Sequence, residues 1–130
     1  MKRRGFTLFE VFVALMLLGT LTALCLEFFA GVTGQQKDQN AALAATQEAA
    51  NVMERLAAVP WDDLLEQKNM KFKLSSQAQK MLPEGRVDVG VEDSSESPPA
   101  RRITVAVYWR PLPGQGERNS RVVAWRYKQP

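Results

Sequence analysis

The chain contains no histidine and only one cysteine, Cys25, among its 130 residues. Without histidine it lacks the commonest metal ligand and the usual general base near neutral pH. A single cysteine cannot form an intrachain disulfide, and without histidine it cannot form a Cys/His catalytic pair. No spacing of residues resembles a zinc site. These absences argue against hydrolytic and metal-dependent chemistry, so we expect neither an enzyme nor a bound cofactor.

The net charge of +3 is distributed unevenly along the chain. Lys2, Arg3 and Arg4 precede the longest apolar run and by themselves account for the excess. Residues 35–99 contain seven Lys/Arg against eleven Asp/Glu, whereas residues 101–130 contain seven against one. The body of the protein therefore has an acidic middle and a basic end, and its basicity is not general.

A long apolar run from Phe6 to Leu26 follows the basic residues. It resembles the front of a secretory signal peptide, but no small-x-small cleavage site closes it. Leu24 also stands where a lipoprotein signal needs a small residue before its cysteine. We interpret residues 6–32 as a transmembrane helix with its amino end in the cytoplasm, because basic residues flank that end. The residues expected to anchor it in lipid are Val11, Leu15, Leu18, Leu21, Phe28 and Phe29.

Glu10 interrupts this apolar run near its start. An ionised carboxylate at membrane depth is costly, and such residues usually pair with a cation and mark a function. The residues alone leave two interpretations open. Glu10 either pairs within the membrane or extends back to the cytoplasmic interface, where water solvates it.

Residues 3–11 read RRGFTLFEV, which combines a basic leader, Gly5, Phe6 and Thr-Leu-x-Glu ahead of an apolar helix. This stretch closely resembles the processing motif of type IV prepilins and pseudopilins. In that family a peptidase at the cytoplasmic membrane face cuts after the glycine and methylates the new amino terminus. The resemblance implies that residues 1–5 are a leader peptide, that cleavage falls between Gly5 and Phe6, and that Phe6 becomes N-methylated.

The resemblance also implies a role for Glu10, which matches the family's glutamate at the fifth mature position. Cleavage would create a cationic amine on Phe6. In a growing filament, Glu10 of an incoming subunit would pair with the Phe6 amine of a subunit already in place. The two charges would neutralise each other in a medium where either alone is costly.

Three later stretches carry a further resemblance, and they read AANVMERLAAVPWDDL, VAVYWR and RVVAWRY. They look most like minor pseudopilins of the I type in type II secretion systems. This implies a structural subunit of a periplasmic pseudopilus, anchored once in the inner membrane with its head in the periplasm. The expected partners are a prepilin peptidase, other pseudopilins or pilins, the inner-membrane assembly platform and membrane lipid, with nucleic acid not expected. The alternative is a minor type IV pilin whose head binds a ligand or DNA. An anchored protein that never assembles would instead remain uncut.

Residues 33–59 have the pattern of an amphipathic, alanine-rich helix that Pro60 ends. Gly31 and Gly34 indicate a flexible joint ahead of it. Glu48 is assigned to the polar part of this helix, away from the apolar stripe. The stripe predicted to pack on the protein's own sheet consists of Ala42, Ala45, Ala49, Val52, Met53 and Leu56.

Residues 60–130 are predicted to form a periplasmic head with three antiparallel strands. Alternating apolar residues place these strands at 86–92, 102–110 and 121–127. Residues 61–82 are predicted to be a loop with a short helix. The fold class is therefore α+β, with a long amino-terminal helix packed on a small antiparallel sheet, in a pilin-like arrangement.

Two further clusters in the head are candidate binding sites. Glu92, Asp93 and Glu96 could suggest calcium, but the spacing of a calcium loop is absent and a solvated acidic loop is favoured. A basic, aromatic carboxy-terminal part could bind single-stranded DNA. We favour charge complementarity with the acidic middle of a neighbouring subunit, and we interpret the aromatic residues as core. The residues of this part are Arg101, Arg102, Arg110, Arg118, Arg121, Arg126, Tyr108, Trp109, Trp125 and Tyr127.

Overall fold

The computed structural model describes residues 5–95 and 97–129. The elements in chain order are helix α1 (Leu8–Ala57), a 3-10 helix (Asp62–Asn69), helix α2 (Ser76–Met81), and strands β1 (Arg86–Ser94), β2 (Ala100–Trp109) and β3 (Arg118–Tyr127). The chain divides into two compact units, one up to Lys37 and one from Asp38 onward. The charged part of the predicted leader, Met1–Arg4, and Glu96 of the acidic loop lie outside the described residues.

Helix α1 continues through Gly31 and Gly34, where the sequence indicates a joint, and ends at Ala57, two residues earlier than predicted. In its final turn, Ala58 N donates to the carbonyls of Glu54 and Arg55, both at 3.2 Å. Pro60 disfavours the helical conformation for the residue before it, which places the end of the helix here.

The core of the second unit lies between α1 and the inner face of the sheet. The buried α1 residues recur every one to four positions and are Ala45, Glu48, Ala49, Val52 and Leu56. The sheet contributes Val87, Val91, Ile103, Val105, Val107 and Trp109, and the connecting segments contribute Leu64, Leu74, Ala78 and Leu82. Most of the predicted stripe is thus confirmed, but Ala42 is exposed. Ala41 packs against the core instead.

The sheet is an antiparallel meander in the order β1-β2-β3, as predicted. The three predicted strands are confirmed, although β1 extends two residues further and β3 begins three residues earlier than expected. The register is continuous along both pairs, with Val91 opposite Ile103 and Ile103 opposite Ala124. Residues 61–82 contain two short helices, the 3-10 helix and α2, where the sequence predicts a loop with one short helix.

Glu48 does not lie on the polar part of α1 as predicted, because it is only 4% exposed. Its Oε1 accepts a hydrogen bond of 2.9 Å from Ser75 N, and its Oε2 accepts one of 2.9 Å from Ser75 Oγ. Ser75 in turn caps α2 by accepting from Ala78 N at 3.2 Å. A carboxylate is tolerated at this depth because both of its oxygens are hydrogen-bonded. Glu48 therefore attaches the segment before α2 to helix α1.

We expect Glu48→Gln to lower the free energy of unfolding of the full-length protein by about 1 kcal/mol, because it replaces charge-assisted hydrogen bonds by neutral ones. Glu54→Gln is the matched control, since Glu54 is exposed on the same helix. Its expected effect is within about 0.5 kcal/mol. Urea titration in one detergent measures both. Equal effects of the two substitutions would contradict the anchoring role of Glu48.

Candidate processing and assembly site

Gly5, Phe6 and Thr7 precede helix α1 and have no helical or strand conformation. The Phe6 side chain is 85% exposed. A Cβ added to Gly5 would meet no heavy atom within 4 Å. The peptide bond that the sequence predicts to be cut therefore lies in exposed, non-helical backbone directly before the helix.

Glu10 and Thr7 form a reciprocal pair of caps at the start of α1. Glu10 Oε2 accepts a 3.0 Å hydrogen bond from Thr7 N and a 3.2 Å bond from Thr7 Oγ1. In the other direction, Glu10 N donates to Thr7 Oγ1 at 3.3 Å. This is the capping box, in which a Thr at the N-cap and a Glu three residues later satisfy each other's backbone N–H groups.

The capping box shows how an acid is accommodated at the start of an apolar helix. The carboxylate lies at the positive end of the helix dipole and accepts two donors, so its charge is partly compensated within the chain. Only Oε2 takes part in these bonds. Sequence reasoning did not identify this arrangement, although the signal is present because Thr7-Leu-Phe-Glu10 has the Thr-x-x-Glu spacing of a capping box.

The part of α1 that follows is apolar around its whole circumference. Its predicted anchor residues are all exposed, from 48% for Val11 to 70% for Phe28. The rings of Phe28 and Phe29 contact each other edge to face, with centroids 6.3 Å apart. An 18-residue stretch of α1 is apolar enough to cross a membrane, and none of it is buried within the structure. A helix with these properties near the amino terminus is consistent with a single-pass membrane anchor.

The threonines within this apolar helix do not present free hydroxyl donors. Thr20 Oγ1 donates to the Met16 carbonyl at 2.9 Å, and Thr22 Oγ1 donates to the Leu18 carbonyl at 2.8 Å. Because these donors are paired within the helix itself, they add little to the cost of placing it in lipid.

The basic end of the sequence is largely bonded to other residues of the same compact unit, which begins at Asp38. Arg101 and Arg102 pair with Asp93 and Glu92, Arg110 pairs with Glu84 at 3.5 Å, and Arg118 pairs with Asp38 at 3.1 Å. Arg126 donates to the Val59 carbonyl. The charge complementarity that was predicted between subunits is therefore present within a single chain. Asp93 and Glu92, two of the three acids of the predicted acidic loop, are therefore paired with arginines. In the described ranges, no three His, Cys, Asp or Glu side chains come together as a metal site.

The aromatic residues of the head do not all belong to the core as predicted. Trp109 is buried, but Trp125 is 54% exposed and Tyr127 is 59% exposed. The register explains the difference. Arg102, which is exposed and opposite Trp125, lies on the sheet face that points away from α1. Because side chains alternate along a strand, Trp125 and Tyr127 share this outer face.

Comparison of the chain with protein-family models, with curated proteins and with solved structures found no match to any of them.

Proposed function

We propose that this protein is a minor pseudopilin, a structural subunit of the periplasmic filament of a type II secretion system. The observation that carries the proposal is the capped carboxylate of Glu10, which lies in the first turn of an exposed apolar helix, four residues after the open Gly5–Phe6 peptide bond. This combination serves processing and assembly in the membrane. It has no evident use in a soluble domain.

The first step is removal of the leader. A membrane peptidase cuts between Gly5 and Phe6, and Phe6 becomes the amino-terminal residue. The exposed, non-helical conformation of residues 5–7 supports this step, since an extended substrate can enter a peptidase without unwinding α1. The basic residues before Gly5 hold this end of the chain at the cytoplasmic face.

The second step is assembly through a charge pair. The Phe6 amine is cationic after the cut, and Glu10 of another subunit is anionic. Because Thr7 binds only Oε2, Glu10 Oε1 remains available to accept a bond from the amine. In the low dielectric of packed apolar helices, one such contact fixes the relative position of two helices whose surfaces would otherwise slide. The head then takes its place on the outside of the filament.

The experiment that tests this proposal is determination of the mature amino terminus. We expect the intact mass of protein extracted from membranes of its native cells to correspond to a chain that starts at N-methyl-Phe6. The control is Gly5→Leu, which can be accommodated because nothing surrounds Gly5 within 4 Å of an added Cβ. We expect this variant to keep its leader. Wild-type protein that retains Met1 would refute the proposal and would favour an anchor that never assembles.

A further inference from the structure

The outer edge of β3 is a free strand edge. Within the described residues, β3 pairs only with β2, over its whole length from Arg118 to Tyr127. The opposite edge of the sheet differs, because the 3-10 helix lies along β1. Free edges are templates for another strand, and proteins commonly cover them. In the described part of the sheet, β1 thus has a further neighbour, whereas the outer edge of β3 has no paired strand.

The direction of the backbone groups on β3 follows from one hydrogen bond. Lys128 N donates to the Pro99 carbonyl at 3.0 Å, so its backbone groups point toward β2. In an antiparallel strand without a bulge, successive residues direct their N–H and C=O groups to opposite sides. The register of β3 is continuous. The N–H and C=O groups of Arg121, Val123, Trp125 and Tyr127 therefore point outward from the sheet.

The side chains of these same residues are exposed on the outer face, with Val123 at 49% and Trp125 at 54%. A groove of about 610 Å³ borders this edge. One wall consists of residues 125–129, and Ala57, Trp61 and Asp62 form the other wall. Only the last three residues of β3 line the groove, which therefore lies beside the carboxyl end of this strand.

The charge of the edge indicates what could occupy it. From Arg118 to Gln129 the chain contains three arginines and a lysine but no Asp or Glu. Arg121 has no hydrogen bond or ion pair to any described residue, unlike the neighbouring Arg118, which pairs with Asp38. An acidic segment beside β3 would complement Arg121 and the excess of basic residues along this strand.

Within the described residues, the acidic strand β1 of a second copy is not free to fill this role. Its acids Glu92 and Asp93 already pair with Arg102 and Arg101, and its β1 edge is lined by the 3-10 helix. Two β3 edges brought together would place like charges side by side, which is destabilising.

We propose that the free edge of β3 binds an extended, acidic segment of a different protein, which adds a fourth strand to the sheet. The backbone of Val123, Trp125 and Tyr127 supplies the hydrogen bonds, and Trp125 and Tyr127 cover the apolar side chains of the incoming strand. Arg121, which lies on the same face as Trp125 and Tyr127, selects for an acidic residue of that strand. This inference does not depend on leader cleavage or on filament assembly.

The test places the photo-cross-linker benzoylphenylalanine at Tyr127 of the full-length protein in its native cells. The matched control is the same cross-linker at Leu112, which is similarly exposed at 57% but lies in the β2–β3 loop. We expect an adduct from position 127 and none from position 112. Mass spectrometry of the adduct is expected to show a segment of another protein in which an acidic residue and apolar residues occupy every second position, so that they share one face of the added strand.

A second substitution tests whether the backbone edge is used. Val123→Pro removes an outward N–H, which is tolerated on an edge strand, and is expected to reduce the adduct about tenfold. If circular dichroism shows that this variant is unfolded, the proposal is tested with Arg121→Glu and Arg121→Lys instead. The first is expected to reduce the adduct about tenfold through charge repulsion, and the second to retain it.

Several results would overturn the inference. These are an adduct with lipid, an adduct with a second copy of this chain, equal adducts from positions 112 and 127, or no adduct. Adduct formation that survives both Val123→Pro and Arg121→Glu would also overturn it. So would tight, salt-dependent binding of single-stranded oligothymidine by the detergent-extracted protein if it were lost in Trp125→Ser, because the surface would then be a nucleic-acid site.

Discussion

Replacement of Glu10 by Gln is expected to prevent incorporation of this protein into a filament while leaving its cleavage and membrane insertion unchanged. Gln can still accept the hydrogen bonds of Thr7 and so preserves the capping box. It removes only the negative charge. A cationic Phe6 amine without its partner in an apolar environment costs about 3 kcal/mol or more, which corresponds to a factor of a hundred or more in an assembly equilibrium.

Thr7→Val is the complementary variant, because it removes the hydroxyl of the capping box and retains the charge of Glu10. Loss of an N-cap costs about 1 kcal/mol, so we expect a decrease in assembly of no more than about fivefold. The measurement is the fraction of each variant that co-purifies with other filament subunits, relative to the amount in the membrane. The mass of each variant verifies that cleavage has occurred.

The two variants together distinguish charge pairing from helix capping. A strong effect of Glu10→Gln with a weak effect of Thr7→Val supports pairing of Glu10 with a neighbour's amine. Equal loss in both variants would show that Glu10 matters only because it starts the helix. Normal incorporation of Glu10→Gln would contradict the pairing outright, since a neutral amide cannot compensate a buried cation.

The long helix and the three strands could be predicted from the sequence because their apolar patterns are regular. Alternation along Ile103, Val105 and Val107 has only one explanation, a strand with one buried face. The apolar half of α1 is equally clear, since a continuous apolar run of this length is typical of a helix that can cross a membrane. In both cases the signal is local and does not depend on knowing which distant residues meet.

Which side chains of β3 face the core could not be predicted in this way. Val123, Trp125 and Tyr127 are larger and more apolar than Val122, Ala124 and Arg126, which suggests that they face the core. In the structure the register with β2 places Ala124 opposite the buried Ile103, so the smaller residues face inward. This register is set across the loop of residues 110–117, and the residues of a loop of this length do not specify it.

The hydrogen-bond partners of Glu48 and Glu10 were not predicted, for different reasons. Glu48 falls on the buried stripe by spacing, three residues after Ala45 and four before Val52, but its polarity argues for the exposed side. Its partner, Ser75, is 27 residues away in the sequence and could not be anticipated. The partner of Glu10 is only three residues away. The Thr-x-x-Glu spacing predicts its capping role. The prediction considered only a cationic partner for Glu10, because a charge at membrane depth is costly.

Arg101→Ala is expected to destabilise the head much more than the same substitution at the adjacent Arg102. Arg101 is 8% exposed, donates to Asp93 Oδ1 at 2.7 Å and to the Trp61 carbonyl, and lies 4.4 Å from the centre of the Trp61 ring. It thus connects the sheet to the segment that follows α1. Arg102 points to the opposite face and pairs with Glu92 in an exposed position.

The difference in burial determines the expected magnitudes. The pair between Arg101 and Asp93 contributes little by itself, because the Asp93 side chain is 56% exposed and water replaces its partner. The charged hydrogen bond to the Trp61 carbonyl and the stacking on its ring contribute more. We expect Arg101→Ala to lower the free energy of unfolding by about 2–3 kcal/mol, and Arg102→Ala by at most about 1 kcal/mol.

Urea titration of the full-length variants in one detergent, followed by tryptophan fluorescence, measures this difference. The signal is sensitive to the site because Trp61 itself contacts Arg101. Arg101→Lys is expected to lie between the other two, since lysine keeps the charge but cannot reach Asp93 and the carbonyl with a single planar group. If Arg101→Ala and Arg102→Ala were equally tolerated, the contact between the sheet and Trp61 would not hold the head together.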